Sequence, residues 1–180
     1  EGEKASQFIV KDLEDWWLVI SQPEYNYDIT DLSELCQKRL IEINKKIYLN
    51  YKIDNSFGGS TVVVLLIKDG KYCILHAGDS RAYLFGKNKN SLLTKDDVWE
   101  NLTSTIDNFT PEEIENNSNK GKLTISIGSF ENVSIHSMIE SITEDGIIFL
   151  CSDGIYKHCN YDFLNKTINS GNPLRKKKKK

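Results

Sequence analysis

The sequence predicts an α+β layered domain in which two antiparallel helices cover an antiparallel β-sheet. Three observations carry that prediction. Helical periodicity is confined to the amino-terminal third, the texture changes abruptly at Phe57-Gly58-Gly59-Ser60, and β-branched runs separated by hairpin signals follow.

The first helix is read from Ala5, Phe8, Ile9, Leu13, Trp16, Trp17 and Ile20, which recur at three- and four-residue intervals and so share one face. Pro23 ends it. A second helix carries Leu32, Leu35, Cys36, Ile43 and Ile47 on its apolar stripe, and Asp31-x-x-Glu34 predicts a capping box at its start. Thr61 to Ile67 is a β-branched run of strand length, apolar enough to be buried on both faces. Asp69-Gly70 predicts a tight hairpin into a second strand, Tyr72 to Ala77. After the Gly78-Asp79-Ser80 corner, Ala82 to Phe85 reads as a third strand, so the succession predicts an antiparallel meander. Residues 61 to 67, 71 to 77 and 146 to 151 are expected in one sheet.

Residues from about Thr94 to Gly121 are polar and irregular. Thr110-Pro111-Glu112-Glu113 predicts a helix start with an N-cap threonine, proline in the first turn and a glutamate positioned for a capping box. Asn116 to Gly121 has the composition of a mobile loop. Strand signals resume at Leu123 to Ile127, at Val133 to Ile139, and at Ile147 to Cys151 after the Glu144-Asp145-Gly146 turn. A last helix is expected from Tyr161 to Ile168.

At 180 residues, with 39% hydrophobic and 27% charged residues, the chain fits one globular domain. Residues 1 to 170 are assigned to it, and 171 to 180 to a basic, disordered tail. No apolar run approaches the roughly 18 residues of a membrane span, and the charged start predicts no signal peptide. Cys36, Cys73, Cys151 and Cys159 form no Cys-x-x-Cys pair, which predicts free thiols in a reducing, cytoplasmic setting. The net charge is −3, but six of the 23 basic residues lie in 175 to 180. That leaves 17 against 26 acidic residues, a body of about −9. Such a body repels phosphate backbones, so nucleic acid is not an expected partner, nor is a membrane.

Two segments carry the chemistry. Leu75-His76-Ala77-Gly78-Asp79-Ser80-Arg81 and Phe149-Leu150-Cys151-Ser152-Asp153-Gly154 each end an apolar strand in an aspartate next to a glycine. Carboxylates held at strand ends are hard oxygen ligands, and a pair of them suits a divalent cation such as Mg²⁺ or Mn²⁺. Taken singly, an Asp-Gly after a strand is more often a turn than a ligand.

The order of the motifs decides between these. Gly59-Ser60-Thr61 opens the first strand and Gly78-Asp79-Ser80-Arg81 forms the corner. Leu93-Thr94-Lys95-Asp96-Asp97 follows, then Ile127-Gly128 and Ser152-Asp153-Gly154. This series resembles the metal-dependent protein serine/threonine phosphatases of the PPM (PP2C-like) family, the bacterial type above all. The likeness covers most of residues 1 to 160. It implies a PP2C-like layered fold, incomplete here, with antiparallel sheets flanked by antiparallel helices. It implies hydrolysis of phosphoserine or phosphothreonine in a phosphorylated protein by a metal-activated water, with Mn²⁺ or Mg²⁺ as cofactor, in a cytoplasmic monomer. Residue by residue, Asp153 corresponds to a ligand of one core metal, and Asp79 to an aspartate that helps to hold a third, weaker metal. Ser80 and Arg81 correspond to structural members of the corner, and the polar region from Asp97 to Gly121 to a variable flap beside the active site.

The departures matter equally. The family's phosphate-contacting arginine, its Asp-Gly-Met-Gly-Gly and its carboxy-terminal Asp-Asn motif have no counterpart, and Asp97 stands where histidine is common. The chain resembles a PPM domain cut at both ends, and by itself it is expected to be inactive. The alternative is a catalytically inactive PPM-like pseudophosphatase or protein-interaction module.

Overall fold

A computed structural model describes residues 2–87, 90–106 and 109–169. The basic run to Lys180 and the predicted boundary at residue 170 lie outside the described residues. Helix α1 spans Gly2–Ile20 and α2 spans Ile29–Ile53. Both were legible from their stripes. Leu32, Cys36, Leu40, Ile43, Ile47 and Tyr51 are buried along α2, with Ala5, Ile9, Leu13 and Trp16 of α1 packed into the same cluster. Phe8 and Trp17, expected on that face, are instead 37% and 41% exposed. The helices run antiparallel. Asp12, midway along α1, meets Arg39 and Lys46 of α2, while Gly2 lies beside Gly59, beyond the end of α2.

The start of α2 corrects the predicted cap. Its N-cap is Asp28, three residues before Asp31: the Asp28 carboxylate accepts from Thr30 and Asp31 backbone nitrogens at 2.7 and 2.9 Å, and Asp31 Oδ2 accepts from Asp28 N at 3.0 Å. Asp31 therefore closes the box as its N3 residue and does not open it.

The strands are β1 (Val62–Lys68), β2 (Lys71–Ala77), β3 (Arg81–Gly86), β4 (Asn90–Leu92), β5 (His136–Ser141) and β6 (Gly146–Cys151). The β1–β2 hairpin turns at Asp69 and Gly70, both with positive φ (+49° and +71°), as its two-residue loop requires. The single meander, however, gives way to two antiparallel sheets, β1-β2-β5 and β4-β3-β6. Residues 146 to 151 pair with β3, from Arg81↔Cys151 to Gly86↔Gly146, and not with residues 61 to 77. The Gly78–Ser80 corner carries the chain out of the first sheet, and β5 takes the open edge of β2.

Alternation along each strand then assigns three interfaces. Cys73, Leu75 and Ala77 of β2 face α1 and α2, while Tyr72 and Ile74 face the second sheet with Ala82. Tyr83 and Phe85 of β3 face outward onto Cys151 and Leu164. The layers are thus helices, sheet, sheet and a final helix. β2 lies at the centre, with Ile74 and Leu75 at 0% exposure on opposite faces; each such side chain contributes roughly 1.5–3 kcal/mol of burial.

The remaining elements are α3 (Trp99–Ile106), α4 (Pro111–Glu115), α5 (Asp153–Tyr156) and α6 (Tyr161–Asn169). α4 has the predicted cap, with Thr110 Oγ1 and Glu113 completing a box. α6 lies where expected. α3 was not legible in the polar stretch. Leu123 to Ile127 is not a strand; it makes only the isolated bridges Val98↔Leu123 and Ser60↔Ile127. Strand β5 begins at His136, later than Val133. Residues 116 to 121, expected as a loop, form hydrogen-bonded turns, with Gly121 N donating to Glu100 Oε2.

Candidate functional site

Asp79 stands on the corner between β2 and β3, and the corner is held from several sides. Gly78 has φ +103°, and a Cβ there would lie 2.8 Å from Thr61 Cβ, so glycine is required both by the backbone and by the close approach. Its amide donates to Asp97 Oδ2 at 2.8 Å, and its carbonyl accepts from Asp97 N at 3.1 Å. Ser80 Oγ lies 2.7 Å from Thr61 Oγ1. Arg81 forms a bidentate pair with Asp96 (Nε–Oδ1 3.0 Å, Nη2–Oδ2 2.7 Å), which holds its guanidinium charged. That guanidinium lies 3.7 Å from the centre of the Tyr156 ring. Tyr156 in turn donates its hydroxyl to Asp79 Oδ2 at 3.1 Å. Burial and the Asp79 and Asp96 carboxylates push the Tyr156 hydroxyl up, keeping it a donor. Ser80 and Arg81 thus do the structural work expected of them.

Asp153 is the first residue of α5, directly after β6 and Ser152. Ser152 makes no side-chain capping bond. Asp153 is half-exposed, and Lys157 Nζ, one helical turn on, reaches its Oδ2 at 2.8 Å. That ammonium holds the Asp153 carboxyl below its ordinary range.

Both aspartates line one cleft of about 550 Å³. Six hydroxyl side chains share its wall, those of Ser60, Thr61, Ser80, Ser126, Ser129 and Ser152, together with Gly59, Phe57 and Phe130. Lys157 is its one cationic side chain among the described residues. Gly121, at the end of the polar segment expected to form a flap, also lines it, as does Leu123 beyond that segment. The far wall is placed by Asn44, fully buried in α2: its Oδ1 accepts from Gly128 N at 2.7 Å, and its Nδ2 donates to the Phe130 and Glu131 carbonyls at 3.0 Å each. Gly128 has φ +91° and packs against Ile47.

The donor set is all oxygen, which suits a hard cation. Among the described residues, however, no three His, Cys, Asp or Glu side chains gather tightly enough to hold one. Two carboxylates fall short of the roughly six oxygens each such ion takes.

Sequence reasoning missed Asn44, Tyr156, Lys157 and the role of Asp97. Asn44 left a signal, as a polar residue set between Leu40, Ile43 and Ile47 in an otherwise apolar stripe. Tyr156 left none, because its partner lies 77 positions away.

The family model for Protein phosphatase 2C matches residues 1–102. Among curated proteins, the chain is 28% identical over 97 residues to the serine/threonine protein phosphatase PstP of Mycobacterium tuberculosis, covering 54% of this chain and 19% of that one. It is 28% identical over 116 residues to the protein phosphatase PhpP of Streptococcus pneumoniae, covering 64% and 47%. The chain therefore spans less than half the length of these relatives. Among solved structures, the S. agalactiae serine/threonine phosphatase superposes with a TM-score of 0.79 at 20% identity, over 94% of this chain and 68% of that one. The catalytic domain of PstP, in complex with two manganese ions, superposes at 0.70 with 20% identity, over 91% and 66%.

Proposed function

The chain belongs to the protein phosphatase 2C family, and on that premise we propose that it forms part of a metal-dependent protein serine/threonine phosphatase acting on phosphorylated proteins. The observation that carries the reading is the meeting of Asp79 and Asp153 on one hydroxyl-lined cleft, in a chain with this family's motif order. Residues 1 to 170 then belong to one phosphatase domain. Asp153 and Asp79 are its metal-ligating residues, and the cofactor is Mn²⁺ or Mg²⁺. When bound, such an ion neutralises phosphoryl charge and supplies a nucleophilic water at neutral pH.

The chain's own residues prepare for this unequally. Tyr156 donates its hydroxyl to Asp79 Oδ2 and so fixes one oxygen of that carboxylate. Lys157 pairs with Asp153 Oδ2 in an exposed contact, and Asp153 would be the carboxylate offered to a cation on this side. Of the hydroxyls around them, Thr61 pairs with Ser80 and Ser126 with Ser129, so each pair has one donor left for a phosphoryl oxygen. The acidic excess of the body disfavours nucleic acid as a partner. All four cysteines are free, three of them buried, in keeping with a cytoplasmic setting. No helix among the described residues is long and apolar enough to cross a membrane.

The test is phosphate release from a phosphothreonine peptide with Mn²⁺, with Mg²⁺ and with chelator. It is run on this chain and on a longer chain that restores the family's remaining acidic motifs. Mn²⁺-dependent turnover by the longer chain is expected, with little by the shorter one. Inactivity of the longer chain with every motif present would overturn the reading in favour of an interaction module.

A further inference from the structure

A hydrogen-bonded chain leads away from the Asp79 corner to a residue with no other evident task. Asp97 uses both carboxylate oxygens: Oδ2 accepts from the Gly78 amide at 2.8 Å, and Oδ1 lies 2.8 Å from His136 Nε2. An ionised carboxylate only accepts, so the imidazole nitrogen donates. The side chain of Asp97 is 10% exposed, that of His136 47%. The Asp97 backbone is fixed independently, since its N–H donates to the Gly78 carbonyl at 3.1 Å and its carbonyl accepts from Thr124 N at 2.8 Å. What remains free is the direction of the carboxylate, and His136 sets it.

His136 is itself fixed by the sheet. It is the register partner of His76 across β2 and β5, and the two rings stack at 4.8 Å with 24° between their planes. The register sets the two residues opposite each other and the stacking places the His136 ring beside that of His76. The chain of contacts runs from β5 through Asp97 to the Gly78 amide, whose positive φ aims the next residue, Asp79, at the cleft.

We infer that His136 is a positioning residue for Asp79, acting through Asp97 on the Gly78 amide. The inference rests on the reading of Asp79 as a metal ligand. His136 sits at the exposed end of a strand that is largely exposed, so its removal costs the fold little, whereas the corner loses the support that directs its carboxylate. Partners that orient a ligand are felt in metal affinity. Here the effect passes through one intermediate residue, so the expected loss is about three- to tenfold, the scale of one hydrogen bond.

The experiment is a Mn²⁺ titration of the full-length protein, followed by the paramagnetic resonance of the free ion. It compares the natural protein with His136→Leu, His136→Gln, Asp79→Asn and the Asp79→Asn/His136→Leu double variant. His136→Leu is expected to weaken the Asp79-dependent site by that factor, and His136→Gln, which keeps a donor, to restore most of it. In the Asp79→Asn background the second substitution should cost nothing more, because its only route has been removed. Equal binding by His136→Leu and the natural protein overturns the inference, and so does an undiminished loss in the Asp79→Asn background, the mark of a merely structural role. If His136→Leu does not fold, His136→Asn, too short to reach Asp97, takes its place in the cycle. Should Asp79→Asn alone leave the titration unchanged, the ligand reading of Asp79 fails and the inference falls with it, an outcome distinct from the others.

Discussion

Asp79 sits on a corner tied down from several directions, while Asp153 opens a four-residue helix whose cap makes no side-chain bond. Around Asp79, hydrogen bonds arrive from Thr61, Asp97 and Tyr156, residues scattered over three other elements or loops. Around Asp153 the one side-chain partner among the described residues is Lys157, on the same turn and exposed. The difference teaches that the chain builds the first carboxylate into its fold and leaves the second with a single exposed side-chain partner. It also predicts that substitutions at the two will fail differently, one through geometry and one through charge.

The largest effect should come from the loosely held side. Asp153→Asn keeps the shape but removes the charge, and in the full-length protein it should cut phosphate release by about a hundredfold or more, with stability unchanged by thermal melting. An equal drop for Asp79→Asn would break the comparison, since that carboxylate is assigned to a weaker site.

Gly78→Ala strikes the rigid side. It places a Cβ against Thr61 in a backbone region that alanine rarely adopts, and should destabilise the protein by about 2–4 kcal/mol in denaturant unfolding. A nearly neutral result would show that the corner gives way easily and is not rigid at all. Tyr156→Phe is gentler. It removes one hydrogen bond to Asp79 and keeps the ring under Arg81, so Mn²⁺ affinity should fall about fivefold with little change in melting temperature.

Acid should loosen the corner side as well. Burial first, and then the neighbouring His136, hold His76 below its ordinary 6.5. The unfolded chain therefore binds the proton more readily than the folded one, and stability rises with pH. This contribution is present above that ordinary value and is lost as pH falls through the lower folded one. Unfolding between about pH 7 and pH 5 should show it, and His76→Asn should flatten that limb. The smallest effect belongs to Lys157→Met. An exposed pair one turn apart contributes about 0.3–0.5 kcal/mol, so stability should barely move, while the Asp153 carboxyl should return toward its ordinary titration range by nuclear magnetic resonance.

The sequence by itself determined whatever depends on neighbours along the chain. Stripes at helical spacing set α1 and α2, and Asp69-Gly70 set the first hairpin. Thr110-Pro111 set α4, and glycines beside Asp79 and Asp153 marked both ends of the cleft. These signals are legible because torsional preference and side-chain periodicity act within a few residues. Only the tertiary structure decided that β6 joins β3 and not β1, that Asn44 reaches Gly128, and that Asp97 links His136 to Gly78. Alternation tells which faces of a strand are apolar, but backbone donors and acceptors are chemically alike on every strand, so the choice of partner edge is left to how whole layers pack. The side chains that hold the Asp79 corner lie 19 to 77 positions from the residues they contact; no local pattern encodes such a meeting, because the meeting exists only once the layers have closed.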